Sequence, residues 1–132
     1  MDERPNLQLV ALARGSQLTV YALVRSGRSE VYDFICAAIA EERSLASDLQ
    51  NILRYIADHE FRTPEAWFRA ISGQDGQWEV RKGRHRLMGF VDGRALILCL
   101  YRLKDRQKPQ AKDLKAIADL RKEWLSDYET PS

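Results

Sequence analysis

Residues 77–102 decide the fold, and they read QWEVRKGRHRLMGFVDGRALILCLYR. Apolar and polar residues alternate at the start of this stretch and β-forming residues dominate its end, which is typical of strands. Two glycine dipeptides interrupt it, and Asp-Gly is a strong hairpin signal. With Lys82-Gly83 and Asp92-Gly93 as two-residue turns, the stretch predicts three antiparallel strands, at 77–81, 84–91 and 94–102.

These turns fix a register in which Arg81 faces Arg84, Glu79 faces Arg86, and Arg84 faces Tyr101. Because strand side chains alternate between faces, polar residues gather on one face: Glu79, Arg81, Arg84, Arg86, Cys99 and Tyr101. The opposite face is mainly apolar and is expected to meet helices: Trp78, Val80, His85, Leu87, Gly89, Leu96, Leu98 and Leu100. Opposed arginines repel unless an anion lies between them, so the polar face is predicted to hold a phosphate. The alternative is that the arginines are ordinary exposed strand residues and Tyr101 is a core aromatic.

The flanking sequence supplies helices and a further strand. Apolar residues at helical spacing predict helices at 30–42, with Ser29 as N-cap, and at 44–59 and 112–126. Pro64 is expected to open a short helix that ends at Ile71. Residues 18–24 are predicted to form a strand, with 7–13 as a candidate hairpin partner. This order predicts one α+β domain over residues 1–132, a small antiparallel sheet with helices packed on one face.

Charge and cysteine content restrict the partner and the compartment. The net charge is only +2, yet residues 76–108 hold nine basic residues against three acidic ones. Such segregation favours an anionic partner, although a solvated charged surface is the alternative. Cys36 and Cys99 lie in apolar runs without metal-ligand spacing, which suggests reduced thiols in a cytoplasmic protein. Neither a signal-peptide core nor a membrane-length apolar run is found.

The segment from Phe68 to Trp124 resembles the RelE/HigB toxin superfamily, in particular its phage-related HigB-like branch. The resemblance lies in the order and spacing of five motifs: Phe68-Arg69-Ala70-Ile71, Gln77-Trp78-Glu79-Val80-Arg81, Arg86-Leu87-Met88-Gly89-Phe90, Ala95–Tyr101 and Lys104-Asp105-Arg106-Gln107-Lys108-Pro109. It implies the toxin of a type II toxin–antitoxin pair that cleaves mRNA on the ribosome without a metal or cofactor. A small helix-turn-helix antitoxin would be its partner, and no membrane is implied.

The resemblance carries over residue by residue. Arg81 and Arg86 match the sheet arginines of the branch, Lys104 matches a loop lysine, and Tyr101 matches an aromatic position. The chain departs from the branch in having Leu103 and Gln107 in place of lysines and Cys99 in place of a histidine, and in a short loop between the arginines.

Cleavage without a metal needs charge stabilisation and proton transfer. Arg81 and Arg86 are expected to stabilise the phosphorane charge, because arginine stays protonated, and Tyr101 is expected to transfer a proton. Glu79 is a formal base, but a salt bridge to Arg86 is the preferred interpretation. Backbone phosphates are assigned to four further residues: Arg84, Lys104, Arg106 and Lys108. Two other functions remain open, a non-enzymatic inhibitor of gyrase and a phage-derived remnant that binds only an antitoxin.

Overall fold

A computed structural model describes residues 6–71, 73–104 and 110–128. Its strands are β1 (Leu7–Arg14), β2 (Thr19–Arg25), β3 (Phe68–Ala70), β4 (Gln77–Lys82), β5 (His85–Asp92) and β6 (Ala95–Leu103). Its helices are α1 (Glu30–Glu41), α2 (Arg43–His59) and α3 (Ala111–Asp127), and a 3-10 turn covers Glu60–Arg62. The strands form one sheet in the order β1-β2-β6-β5-β4-β3. Among the helices so described, none is long and apolar enough to cross a membrane.

The predicted α+β class is confirmed, and so are the three long helices and the β1–β2 hairpin. Ser29 caps α1 as expected, since its hydroxyl accepts a hydrogen bond from the Tyr32 amide at 3.1 Å. The short helix predicted from Pro64 to Ile71 is wrong, because only a turn forms at Pro64 and β3 follows. The chain therefore gains an edge strand beside β4.

The sheet is mixed and is covered on both faces, which corrects the expectation of an antiparallel sheet covered on one. β2 runs parallel to β6, as a strand separated from its neighbour by a long crossover is free to do. One core lies between the sheet and α1 and α2, and a second lies between the sheet and α3. The unbroken apolar run of β6 explains why both faces are covered, because a strand buried on both faces needs apolar residues at successive positions.

Both hairpin turns lie one residue later than predicted. Lys82 pairs with His85 and Asp92 pairs with Ala95, so the turn residues are Gly83-Arg84 and Gly93-Arg94. Gly83 and Gly93 have φ of 59° and 56°, and glycine at the first turn position suits a type II′ hairpin. The shift places Arg81 opposite Arg86, not opposite Arg84.

A β-bulge in β6 then changes which side chains share a face. Gly89 pairs with Leu98 whereas Met88 pairs with Leu100, so Cys99 is an extra residue. An extra residue reverses the alternation beyond it. As a result Tyr101 lies opposite Leu87 on the α1 face, not beside the arginines.

Candidate phosphate-binding site

A group of cations lies near one buried carboxylate on the α3 face, at the end of the sheet where β4 turns into β5. Trp78 and Val80 pack in the α1/α2 core, so the alternate residues of β4 point to the other face. Gln77 confirms this direction, since its Nε2 donates a hydrogen bond to the Leu114 carbonyl of α3 at 3.1 Å. Glu79 and Arg81 follow on the same face. We call the five residues of this group the basic cluster: Arg69, Glu79, Arg81, Arg86 and Lys104.

Glu79 is the centre of the basic cluster. It is only 2% exposed, and its Oε1 lies 3.6 Å from Nε of Arg69 and 3.5 Å from Nε of Arg81. Arg69 is its direct cross-strand neighbour on β3. Its Oε2 accepts no hydrogen bond from any residue in the described part of the chain. The expected partner was Arg86, and the structure gives the ion pairs to Arg69 and Arg81.

Arg86 and Lys104 complete the basic cluster from β5 and from the end of β6. Arg86 is nearly buried, and its Nη1 donates hydrogen bonds to the carbonyls of Gly83 at 2.6 Å and His85 at 3.0 Å. Burial lowers the pKa of Arg86, and Arg81 lowers it further. Burial also lowers the pKa of Lys104; Glu79 opposes this change, while Arg86, Arg69 and Arg81 add to it. The positive charges therefore act on one another across the cluster.

Arg102 lies next to the basic cluster but has a structural role. It is the cross-strand neighbour of Arg86, and its Nη1 lies 2.6 Å from Oε1 of Glu30. Its Nη2 lies 3.0 Å from Oδ1 of Asp113, a carboxylate in the first turn of α3. These carboxylates offset its charge and tie α1 and α3 to β6.

The predicted site is brought together in part. Arg81, Arg86 and Lys104 converge as expected. Arg84 is in the turn rather than on the strand, and its Nε donates to the Lys104 carbonyl at 2.9 Å. Arg106 and Lys108 lie outside the described residues. Arg69 was missed because β3 was predicted to be helical, although its position beside Phe68 in the first matching motif was a signal.

Tyr101 was wrongly placed. Its hydroxyl lies 2.8 Å from Nδ1 of His85, and its ring stacks on Phe34 of α1 with centroids 3.9 Å apart. Burial raises its pKa, and Glu42 raises it further. Tyr101 is thus a partly buried aromatic that packs against the core, which agrees with the alternative interpretation rather than with a place beside the arginines. His85 lies on the helix-covered face as predicted.

The basic cluster can bind an anion and has one group suited to proton transfer. Cations that outnumber a carboxylate attract phosphate, and guanidinium groups can donate paired hydrogen bonds to it. The side chains of Arg69 and Arg81 are 42% and 29% exposed, so a ligand can reach them. The pKa of Lys104 is lowered from its ordinary value, chiefly by burial, and an ammonium beside a bound phosphate can donate a proton. In the described ranges, no three His, Cys, Asp or Glu side chains form a group that could hold a metal.

No protein-family model matches the chain, and no curated protein matches it either.

Proposed function

We propose that the chain is the toxin of a type II toxin–antitoxin pair and cleaves mRNA on the ribosome without a metal. The observation that supports this most is the basic cluster, in which Arg69 and Arg81 form ion pairs with Glu79, and Arg86 and Lys104 lie within electrostatic range of it. Placing four cations together on one sheet face costs stability. A bound phosphate would offset that cost, and the resemblance to RelE/HigB toxins supplies the substrate class.

In the proposed reaction the 2′-hydroxyl of one nucleotide attacks the adjacent phosphate. The O2′–P bond forms, the P–O5′ bond breaks, and the products carry a 2′,3′-cyclic phosphate and a 5′-hydroxyl. Arg81 and Arg69 stabilise the phosphorane charge, with Arg86 held behind them by backbone carbonyls. Lys104 donates a proton to the leaving 5′-oxygen, and the proton of the 2′-hydroxyl passes to water. Tyr101 has no part in this mechanism, because it faces α1.

The partners follow from the same proposal. The toxin would act in the cytoplasm on ribosome-bound mRNA, and a small helix-turn-helix antitoxin would neutralise it. Covering the basic cluster would be sufficient for neutralisation, since an acidic antitoxin segment competes with phosphate for the same arginines.

A second function, binding without cleavage, is favoured by the position of Tyr101. The expected proton-transfer group lies on the far side of the sheet from the arginines, so cleavage depends on Lys104. A protein of this kind would inhibit a target such as gyrase, or bind only an antitoxin as a phage-derived remnant.

Inducible expression in bacteria, with primer-extension mapping of transcripts, distinguishes these functions. The first function predicts arrested growth and new transcript ends. Arg69→Gln with Arg81→Gln should reduce cleavage by at least about 100-fold, as losses of charge-stabilising donors do. Arg14→Gln, an exposed arginine at the opposite edge of the sheet, is the matched control and should leave cleavage unchanged. Arrested growth with intact transcripts supports the binder, and full cleavage by the double variant would show that the site is wrong.

A further inference from the structure

A small aromatic pocket lies on the α2 face at the β3 edge of the sheet. It has a volume of about 280 Å³, which suits one planar ring rather than a larger ligand. Six residues line it: Asp48, Asn51, Ile52, Tyr55, Trp67 and Lys82.

The aromatic rings of the pocket are held in place by their neighbours. Tyr55 stacks on His59 with centroids 3.8 Å apart, and Trp67 meets Tyr55 edge-on at 5.4 Å. The backbone of Trp67 is fixed at both ends, because its amide donates to the Pro64 carbonyl at 2.9 Å and its carbonyl accepts from the Arg81 amide at 2.7 Å. Even so, Trp67 remains 38% exposed. An aromatic side chain that is fixed and yet accessible is suited to stacking on a ligand.

The pocket and the basic cluster are neighbours through the backbone. Trp67 bonds to Arg81, a member of the basic cluster, and Lys82 is the next residue of β4. Lys82 points to the pocket, where its Nζ lies 3.2 Å from Oδ2 of Asp48. Consecutive residues of β4 therefore serve the two sites, one on each face of the sheet edge.

The charges of the two sites differ in kind. The basic cluster is rich in cations, whereas in the pocket Lys82 is paired with Asp48, and this pair carries no net charge to attract a phosphate. The carboxylate of Asp48 and the amide of Asn51 instead offer hydrogen-bond acceptors. The pocket is therefore suited to an uncharged aromatic ring that carries amino groups.

We propose that this pocket stacks a nucleobase of the same RNA strand whose phosphate lies in the basic cluster. The inference rests on the proposed function and names a subsite for it. A strand that passes around the short edge strand β3 would place its phosphate against Arg69 and Arg81 and its base against Trp67. Stacking on aromatic side chains is the usual way in which proteins hold single-stranded RNA.

The test compares two probes on the whole chain. One is a fluorescein-labelled 2′-O-methyl oligocytidylate, which cannot be cleaved by its own 2′-oxygen and whose base can donate to Asp48. The other is inorganic polyphosphate, which has the charge but no bases. Trp67→Ala should weaken the oligonucleotide about tenfold and leave polyphosphate unchanged, whereas Trp67→Phe should retain most of the affinity. Arg81→Gln should weaken both probes.

Phe61→Ala is the matched control, because Phe61 is 52% exposed and does not line the pocket. It should change neither affinity. An unchanged oligonucleotide affinity for Trp67→Ala, or an equal loss for both probes, would overturn the subsite and leave the proposed function standing. A wild-type chain that bound neither probe would also overturn the subsite, while the proposed function, which acts on ribosome-bound mRNA, is decided separately by the transcript map.

Discussion

The two faces of the sheet at the β4–β5 hairpin are built from alternate residues of the same strands and differ in how far their polar groups are satisfied. On the α1 face, Phe34 stacks on Tyr101 and meets His85 at a tilt, and the tyrosine hydroxyl has the imidazole as its partner. On the α3 face, the cations of the basic cluster outnumber the carboxylate of Glu79. The aromatic face has its polar groups paired within the fold, whereas the charged face would gain stability from a bound anion. This contrast is the reason for proposing that the charged face is the binding face.

Gly89→Ala should have the largest effect on stability. Gly89 pairs with Leu98 next to the β6 bulge, and this bulge determines on which face of the sheet Tyr101 lies. A Cβ at Gly89 would lie 1.8 Å from the Ile97 carbonyl oxygen and 2.8 Å from the Leu98 Cα. Both atoms are backbone in the central strand, so β6 would have to shift. We expect a loss of about 3 kcal/mol or more in the free energy of unfolding, measured by urea denaturation.

Gly93→Asn is the control for that substitution. A Cβ at Gly93 meets nothing within 4 Å, but its φ of 56° at the first position of a type II′ turn favours glycine, so this substitution measures backbone strain without a clash. It should cost about 1 kcal/mol, clearly less than Gly89→Ala. A Gly89→Ala chain as stable as Gly93→Asn would mean that the close approach of β5 to β6 at the bulge does not require glycine. The bulge that moves Tyr101 to the α1 face would then be in doubt.

Glu79→Gln should have the second largest effect, because it removes the negative charge from the basic cluster. Breaking a buried ion pair costs about 3–5 kcal/mol, and the partial exposure of Arg69 and Arg81 reduces this to about 2 kcal/mol. Sulfate or phosphate should restore stability to the variant more than to wild type, since an anion replaces the carboxylate. Glu30→Gln, which changes a half-exposed carboxylate, should cost less than about 1 kcal/mol. Equal responses of wild type and Glu79→Gln to sulfate would argue against an anion site.

The sequence predicted the faces of β4 and β5 but not that of the far end of β6. The prediction placed each turn one residue too early, which changes each cross-strand partner by two positions. Because side chains alternate between faces with a period of two, every side chain of β5 stays on its predicted face. Arg81 and Arg86 therefore share a face as expected. The extra residue in β6 at Cys99 places Tyr101 on the other face. The bulge could not be predicted from the hydrophobic pattern, because the residues on both sides of it are apolar. Gly89 was the available signal, because glycine inside a strand often marks a bulge or a close backbone approach.

Tyr101→Phe tests the aromatic face at a smaller scale. The substitution removes the hydrogen bond to His85 and keeps the stack on Phe34, so stability should fall by about 1 kcal/mol. RNA cleavage and binding should not change, because the hydroxyl lies on the face away from the basic cluster. The readouts are thermal denaturation and the transcript map. If a stable Tyr101→Phe chain lost cleavage, the phenol would have to take part in the reaction. The assignment of structure to one face and of binding to the other would then be wrong.

Lys104→Met should have the smallest effect, and its sign depends on the lowered pKa of Lys104. Because the folded chain binds this proton less tightly than the unfolded chain, the charged ammonium costs stability below the folded pKa. The cost disappears as the pH rises from there toward the ordinary lysine value of 10.5. Methionine keeps the apolar stem without the charge, so the variant should be more stable than wild type near neutral pH. Its advantage should shrink as the pH approaches 10.5, as urea denaturation at several pH values would show. A difference that stays constant with pH would mean that the fold does not lower the pKa of Lys104, and the proton donor of the proposed reaction would then have to be sought elsewhere.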